Sequence, residues 1–202
     1  MKIVIISPEG DAPREHTVLA ALCSAGLERY HVRKPGWPRE QLAAWLAGVP
    51  VIWRQCLVLH QHHALAAEFG CGGVHCKDGH AVSEMAQGGT LFRSHACHDL
   101  AALESSLGRF DSVFFSPVFP SISKPGYGPA TALGAVTEIL RRRTVAERRT
   151  SVIALGGIVP ANVGRCAELG FDGVAVLGAL WSAPDPLAVF EQFCAARRSH
   201  AA

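Results

Sequence analysis

"SVIALGGIVPANVGRCAELGFDGVAVLG", residues 151–178, holds two apolar runs with one helix-like stretch between them. Residues 151–157 are Val-, Ile- and Leu-rich and end in Gly156-Gly157; residues 172–178 repeat the pattern and end in Gly178. A run that is apolar without alternation reads as a strand covered on both faces. The segment between, opened by Pro160, has the composition and length of a helix. Two such strands joined by a helix are parallel neighbours, because a short turn cannot bring a parallel strand back.

The rest of the chain repeats this unit. Strands are predicted at 2–7, 30–34, 56–60, 72–76, 90–94, 111–116, 151–157 and 172–178, with helical stretches at 14–27, 39–48, 130–143, 160–170 and 185–198 among those between them. Eight strand–helix units in 202 residues predict an α/β fold, a single (β/α)8 TIM barrel over residues 1–202. An open, doubly wound parallel sheet is the alternative. No linker, repeat or low-complexity segment marks a second domain.

Composition narrows the function classes. Apolar residues make up 49% of the chain and charged residues 18%, which suits a globular core rather than a disordered chain. A net charge of +2 argues against nucleic acid and against a membrane surface as partner. The basic run at 141–149 reads as a solvated helix face. Seven cysteines without CxxC spacing read as free thiols in a reducing compartment. The N-terminal apolar run is too short for a signal-peptide core, and no stretch reaches the roughly 18 apolar residues of a membrane helix. A cytoplasmic location is expected.

In such a barrel chemistry lies at the C-terminal ends of the strands. The strand ends carry Arg33 and Lys34, then His60 and Gln61, His75 and Cys76, and Ser94 and His95. The turns after strands 7 and 8, with Gly156, Gly157, Leu177 and Gly178, run directly into helices. Backbone amides there form the phosphate cradle common in this fold. The sixth strand opens into "PVFPSISKPGYGP" (117–129), where Ser121 and Ser123 stand two apart and Lys124 follows. An extended segment aims both hydroxyls to one side, and the ammonium adds charge, so the loop is read as an anion holder. Seven of the ten histidines lie between 60 and 98. His60, His75, His95 and His98 come from three consecutive strand ends, which leaves open metal ligation with Cys76, Cys97 or Asp78, proton transfer, and ordinary hydrogen bonding.

These segments together resemble the thiamine phosphate synthase and thiazole tautomerase superfamily, from "HVRKPG" through "GVHC", "SPVFPSISKPGYG" and "VIALGGI" to "GFDGVAVLGALW". "FSPVFPSISKPG" (115–126) carries the resemblance most specifically. It implies a transferase that joins an aminopyrimidine pyrophosphate to a thiazole phosphate, releasing pyrophosphate and thiamine phosphate. The carbon–oxygen bond would break first, and the thiazole nitrogen would capture the pyrimidine cation. By the same resemblance Ser121, Ser123 and Lys124 hold pyrophosphate, with Arg33 beside them, and Gly157, Leu177 and Gly178 hold the thiazole phosphate. His60 is counted among the substrate-contacting positions, and His98 with Lys124 and Arg33 among the catalytic ones.

The chain departs from the family pattern at its acidic positions. His60-Gln61 stands where the family carries Asn-Asp, and "KDGH" (77–80) where it carries an acidic stretch. Mg2+ is the cofactor the resemblance implies, with Asp78 the remaining candidate ligand. Two alternatives follow: a tautomerase-like isomerase working without magnesium, and a non-catalytic barrel that binds a phosphorylated ligand or a metal. The tautomerase histidine before "VF" is absent, since Pro117 precedes Val118, so His98 would serve there. The expected partners are small phosphorylated substrates, with homo-oligomerisation left open.

Overall fold

The computed structural model describes residues 1–76, 91–120, 128 and 132–199. In chain order the elements are β1 (Lys2–Ile6), α1 (Glu15–Ser24), β2 (Arg29–Val32), α2 (Arg39–Ala47), α3 (Val51–Arg54), β3 (Leu57–Leu59), α4 (Ala64–Phe69), β4 (Gly73–Cys76), β5 (Phe92–Cys97), α5 (Leu100–Ser106), β6 (Ser112–Phe115), α6 (Leu133–Arg142), β7 (Ser151–Leu155), α7 (Val163–Glu168), β8 (Gly173–Val176), α8 (Gly178–Trp181) and α9 (Pro186–Ser199). The strands follow one another in chain order and close into a parallel barrel, the predicted (β/α)8 architecture. Among the described residues no helix is long and apolar enough to cross a membrane.

The chain divides into two compact units, Val4–Arg93 and Met1–Ile3 with Ser94–Ala202. In Val4–Arg93, parallel register pairs His31 with Val58 and Leu59 with Val74. Its core is aliphatic: Leu19, Leu22, Leu42, Leu46, Leu57 and Leu59 are essentially inaccessible. Each such side chain stabilises the fold by about 1.5–3 kcal/mol relative to exposure. Polar residues share this interior, among them a buried Lys34–Glu15 pair. Lys34 donates to Glu15 Oε2 at 2.5 Å and to the Gly10 carbonyl at 2.8 Å, and Tyr30 donates to Glu15 Oε1 at 2.7 Å.

In the second unit β6 pairs with β5 and β7, and β7 with β8, through registers such as Phe114↔Ile153 and Ile153↔Gly173. Phe114 and Phe115 on β6 and Phe190 and Phe193 on α9 are buried in its core. The 141–149 run is not a solvated face throughout. Arg143 is buried, and its guanidinium meets the Asp172 carboxylate at 2.6 and 3.2 Å and donates to the Thr150 carbonyl at 3.2 Å. Asp172 also accepts from the Val152 amide at 2.7 Å, which ties the starts of β7 and β8 to the end of α6.

The fifth strand runs three residues past its predicted end, to Cys97. Its polar stretch Ser94-His95 resembles a loop in sequence, yet both residues are buried, and the His95 ring stacks on Phe110 with centroids 4.9 Å apart. His95 is thereby part of the core, and His98 becomes the residue that leaves the strand.

Candidate active site

The turn after β7 begins with two glycines in left-handed backbone, Gly156 at φ 97° and Gly157 at φ 64°. A Cβ on Gly157 would lie 2.3 Å from the Pro120 carbonyl oxygen and 2.8 Å from Phe119 Cβ. Only a residue without a side chain admits that approach. The chain leaving β6 lies along this turn: the Val118 amide donates to Leu155 O at 2.9 Å and the Phe119 amide to Gly156 O at 3.1 Å. Asn162 closes the turn from the other side, donating to Gly157 O and accepting from the Val159 amide. Leu177 and Gly178 stand where β8 passes into α8, whose first amides have no intrahelical acceptor. Ser121, Ser123 and Lys124 lie outside the described residues, as does Asp78.

His98 follows β5 and Ser116 follows β6. The His98 Nδ1 lies 3.2 Å from both the hydroxyl and the carbonyl oxygen of Ser116. His98 is exposed and Ser116 buried, so the ring has a fixed hydrogen-bonding partner and an open face. That arrangement can hold or pass a proton.

Arg33 and Lys34, adjacent in sequence at the end of β2, part company. Lys34 turns inward to Glu15 and has no access to substrate. The Arg33 side chain remains 41% exposed and pairs with Glu9, while its backbone exchanges hydrogen bonds with the buried Ser7 hydroxyl. Arg33 lines a cleft of about 240 Å³ with Pro35, Gly36, Trp37, His60, Gln61 and His62. Gln61 donates to Lys34 O at 2.6 Å. His62, at φ 50°, holds its ring against the Trp37 carbonyl. The ends of β2 and β3 therefore present an arginine and an imidazole to the cleft, a combination suited to an anion.

Behind His60 lie His75 on β4 and His31 on β2, the latter not among the residues predicted from sequence. His31 Nδ1 is 3.1 Å from His60 Nε2, the His60 and His75 rings stack at 4.0 Å, and His31 meets His75 edge-on at 5.8 Å. One ring nitrogen from each lies within 4.8 Å of the others. Burial, reinforced by His75 and Arg29, holds His31 well below the ordinary imidazole value of 6.5. Burial also depresses His60, helped by His75, His31, Arg33 and His63. Both are neutral imidazoles near pH 7. His31 stands between Tyr30 and Val32 on β2, one strand from His60 and two from His75. Among the described residues these three form the one close group of potential metal ligands. Magnesium takes oxygen ligands and suits this nitrogen set poorly.

Comparison with known proteins follows the same lines. The family model for thiamine monophosphate synthase matches residues 3–180. The chain is 30% identical to a thiamine-phosphate synthase of Bordetella avium over 201 residues, covering 95% of this chain and 92% of the relative. A solved thiamine phosphate pyrophosphorylase from Bacteroides thetaiotaomicron aligns with a TM-score of 0.77 at 25% identity, covering 98% of this chain and 96% of its own. A Pyrococcus furiosus thiamine phosphate pyrophosphorylase shares the fold at a TM-score of 0.80 and 17% identity, over 100% and 97% of the two chains. From the glycine turn after β7 to the whole-length match, this chain belongs to the thiamine monophosphate synthase family.

Proposed function

We propose that this protein is a transferase joining an aminopyrimidine pyrophosphate to a thiazole phosphate, with thiamine phosphate and pyrophosphate as products. One observation carries the reading. Phe119 and Pro120 lie directly against Gly156 and Gly157, so the root of the Ser121–Lys124 loop adjoins the turn assigned to the thiazole phosphate. A reaction between two phosphorylated substrates calls for two anion holders side by side.

In this reading the amides after β7 and β8, at Gly157, Leu177 and Gly178, bind the thiazole phosphate. Ser121, Ser123 and Lys124 receive the pyrophosphate, and Arg33 and His60 serve the same class of anion in their cleft. The carbon–oxygen bond to pyrophosphate breaks, the electron pair leaves with pyrophosphate, and the thiazole nitrogen supplies the pair for the new carbon–nitrogen bond. Catalysis of this kind rests on positioning and on stabilising the leaving charge. His98, braced by Ser116, presents an imidazole within the same unit. Magnesium, the family's implied metal, calls for oxygen donors that the described residues do not gather, and no step here runs through it.

The test is turnover by purified protein given both substrates, with thiamine phosphate read by mass spectrometry, in the presence of magnesium, of zinc and of a chelator. Product formation is the expected result. Folded protein that binds the thiazole phosphate but forms no product in any of the three conditions would overturn the transferase reading and favour an isomerase or a binding protein.

A further inference from the structure

We infer that His31, His60 and His75 form a nitrogen-only site for one divalent transition-metal ion of the zinc class, reached from the cleft lined by Arg33 and His60. The site does not depend on which reaction the barrel catalyses.

Three adjacent strands supply the ligands. In the sheet His31 is level with Val58, Leu59 with Val74, and the His60 amide donates to Val32 O at 3.1 Å. The backbone ladder thus places the three imidazoles next to one another and holds them there. The nitrogens lie within 4.8 Å of one another, and two ligands about 2.0–2.1 Å from a tetrahedral zinc stand about 3.4 Å apart, so binding draws the rings together. His60 and His75 stack at 16°, so ligation requires one of these rings to rotate about its χ2 bond, a broad and soft torsion.

Energetics favour occupancy. The rings are buried, His31 fully and His60 and His75 to within 7% and 5% exposure. Barrel interiors of this fold are ordinarily filled by Val, Ile and Leu, and three desolvated imidazoles are a costly replacement for them. A bound ion would exchange the hydrogen bond between His31 and His60 for coordinate bonds to the three rings. An all-imidazole set selects zinc, cobalt, nickel or copper over magnesium or calcium.

Three protein ligands leave a fourth position, the pattern of open zinc sites. His60 is the ligand that also lines the 240 Å³ cleft, so that position takes water or an anionic oxygen entering beside Arg33.

Tag-free, chelator-treated protein titrated with Co2+ tests this by visible absorption. The expected result is one Co2+ per chain with a tetrahedral d–d spectrum, displaced by Zn2+ but not by excess Mg2+, and a Zn2+-dependent rise in Tm. His60→Gln and His75→Gln should each weaken Co2+ binding by more than about 100-fold while the far-ultraviolet dichroism stays native. X-ray absorption of the zinc-loaded wild type, which needs no variant, should count three imidazoles and no sulfur. A wild type without a saturable Co2+ spectrum would overturn the site. So would sulfur in the zinc shell, or a spectrum unchanged in both folded variants, either of which assigns the metal to the cysteines or another group.

Discussion

Lys34 Nζ lies 2.5 Å from Glu15 Oε2, and the two side chains are 0% and 1% exposed. A pair so placed has lost its hydration on both sides, and each charge is tolerable only because the other is present. Tyr30 and the Gly10 carbonyl take up remaining hydrogen-bonding capacity. The pair pins the end of β2 to α1, and it explains why the lysine of "HVRKPG" is withdrawn from the cleft while Arg33 stays.

Glu15→Gln should therefore cost about 3–5 kcal/mol in denaturant unfolding, because it strands a buried ammonium. Glu15→Gln combined with Lys34→Met should recover most of that loss. If the double variant is no more stable than the single, the pair is not the source of the cost.

The pair also has a pH signature. Burial outweighs Lys34 and holds the Glu15 carboxyl above its ordinary value. The folded state thus binds this proton more tightly than the unfolded chain, whose carboxylate titrates near about 4.3. Its contribution to stability is complete below that value and is lost as pH rises through the raised folded value. Wild-type stability should fall relative to the double variant across that window; parallel pH profiles for the two would contradict the shift.

Arg143 forks onto Asp172, but Asp172 is partly open, its side chain 36% exposed. The cost of Arg143→Met should thus lie between those of exposed and fully buried pairs, about 2 kcal/mol. Arg143→Lys should restore little, since one ammonium cannot span both carboxylate oxygens and the Thr150 carbonyl. Full rescue by lysine in urea titrations would show that charge alone matters there.

Gly157→Ala forces a side chain into left-handed backbone and against Pro120 O, so about 2 kcal/mol of stability should be lost. Because relief comes by moving the 119–120 backbone, thiazole phosphate affinity should fall with it. Calorimetry showing native affinity in this variant would separate the glycine from the cradle. Gly178→Asp, which sets a carboxylate at the same cradle, should abolish that binding.

Lys124→Ala should lower kcat/KM for the pyrophosphate substrate by about 100-fold, the loss typical of one donor to a developing charge. Dichroism and Tm should remain those of the wild type. Unimpaired turnover would remove Lys124 from the mechanism.

The eight strands were legible because a parallel strand buried on both faces has to be apolar along its whole length, as in 151–155 and 173–176. Gly156-Gly157 was legible as a close-approach turn, and the backbone against it is now identified as Phe119 and Pro120. Where polar residues enter the interior, pattern reading lost its footing. Ser94 and His95 looked like a strand's end and are strand interior. Arg143 looked like one more surface cation in a basic run and is buried. His31 was passed over between Tyr30 and Val32, since one polar residue in a short strand carries no sign of what lies on the next strand.

By itself, the order of apolar runs and helical stretches determined the barrel, its strand boundaries to within a few residues, and which turns follow which strands. Hydrophobic periodicity is a local property, and burial follows from it residue by residue. Tertiary structure alone decided which polar groups meet. Lys34 finds Glu15, Arg143 finds Asp172, and His31, His60 and His75 come together only when neighbouring strands take up register. A buried polar side chain is tolerated only with its partner, and that partner is set by the fold, far away along the chain.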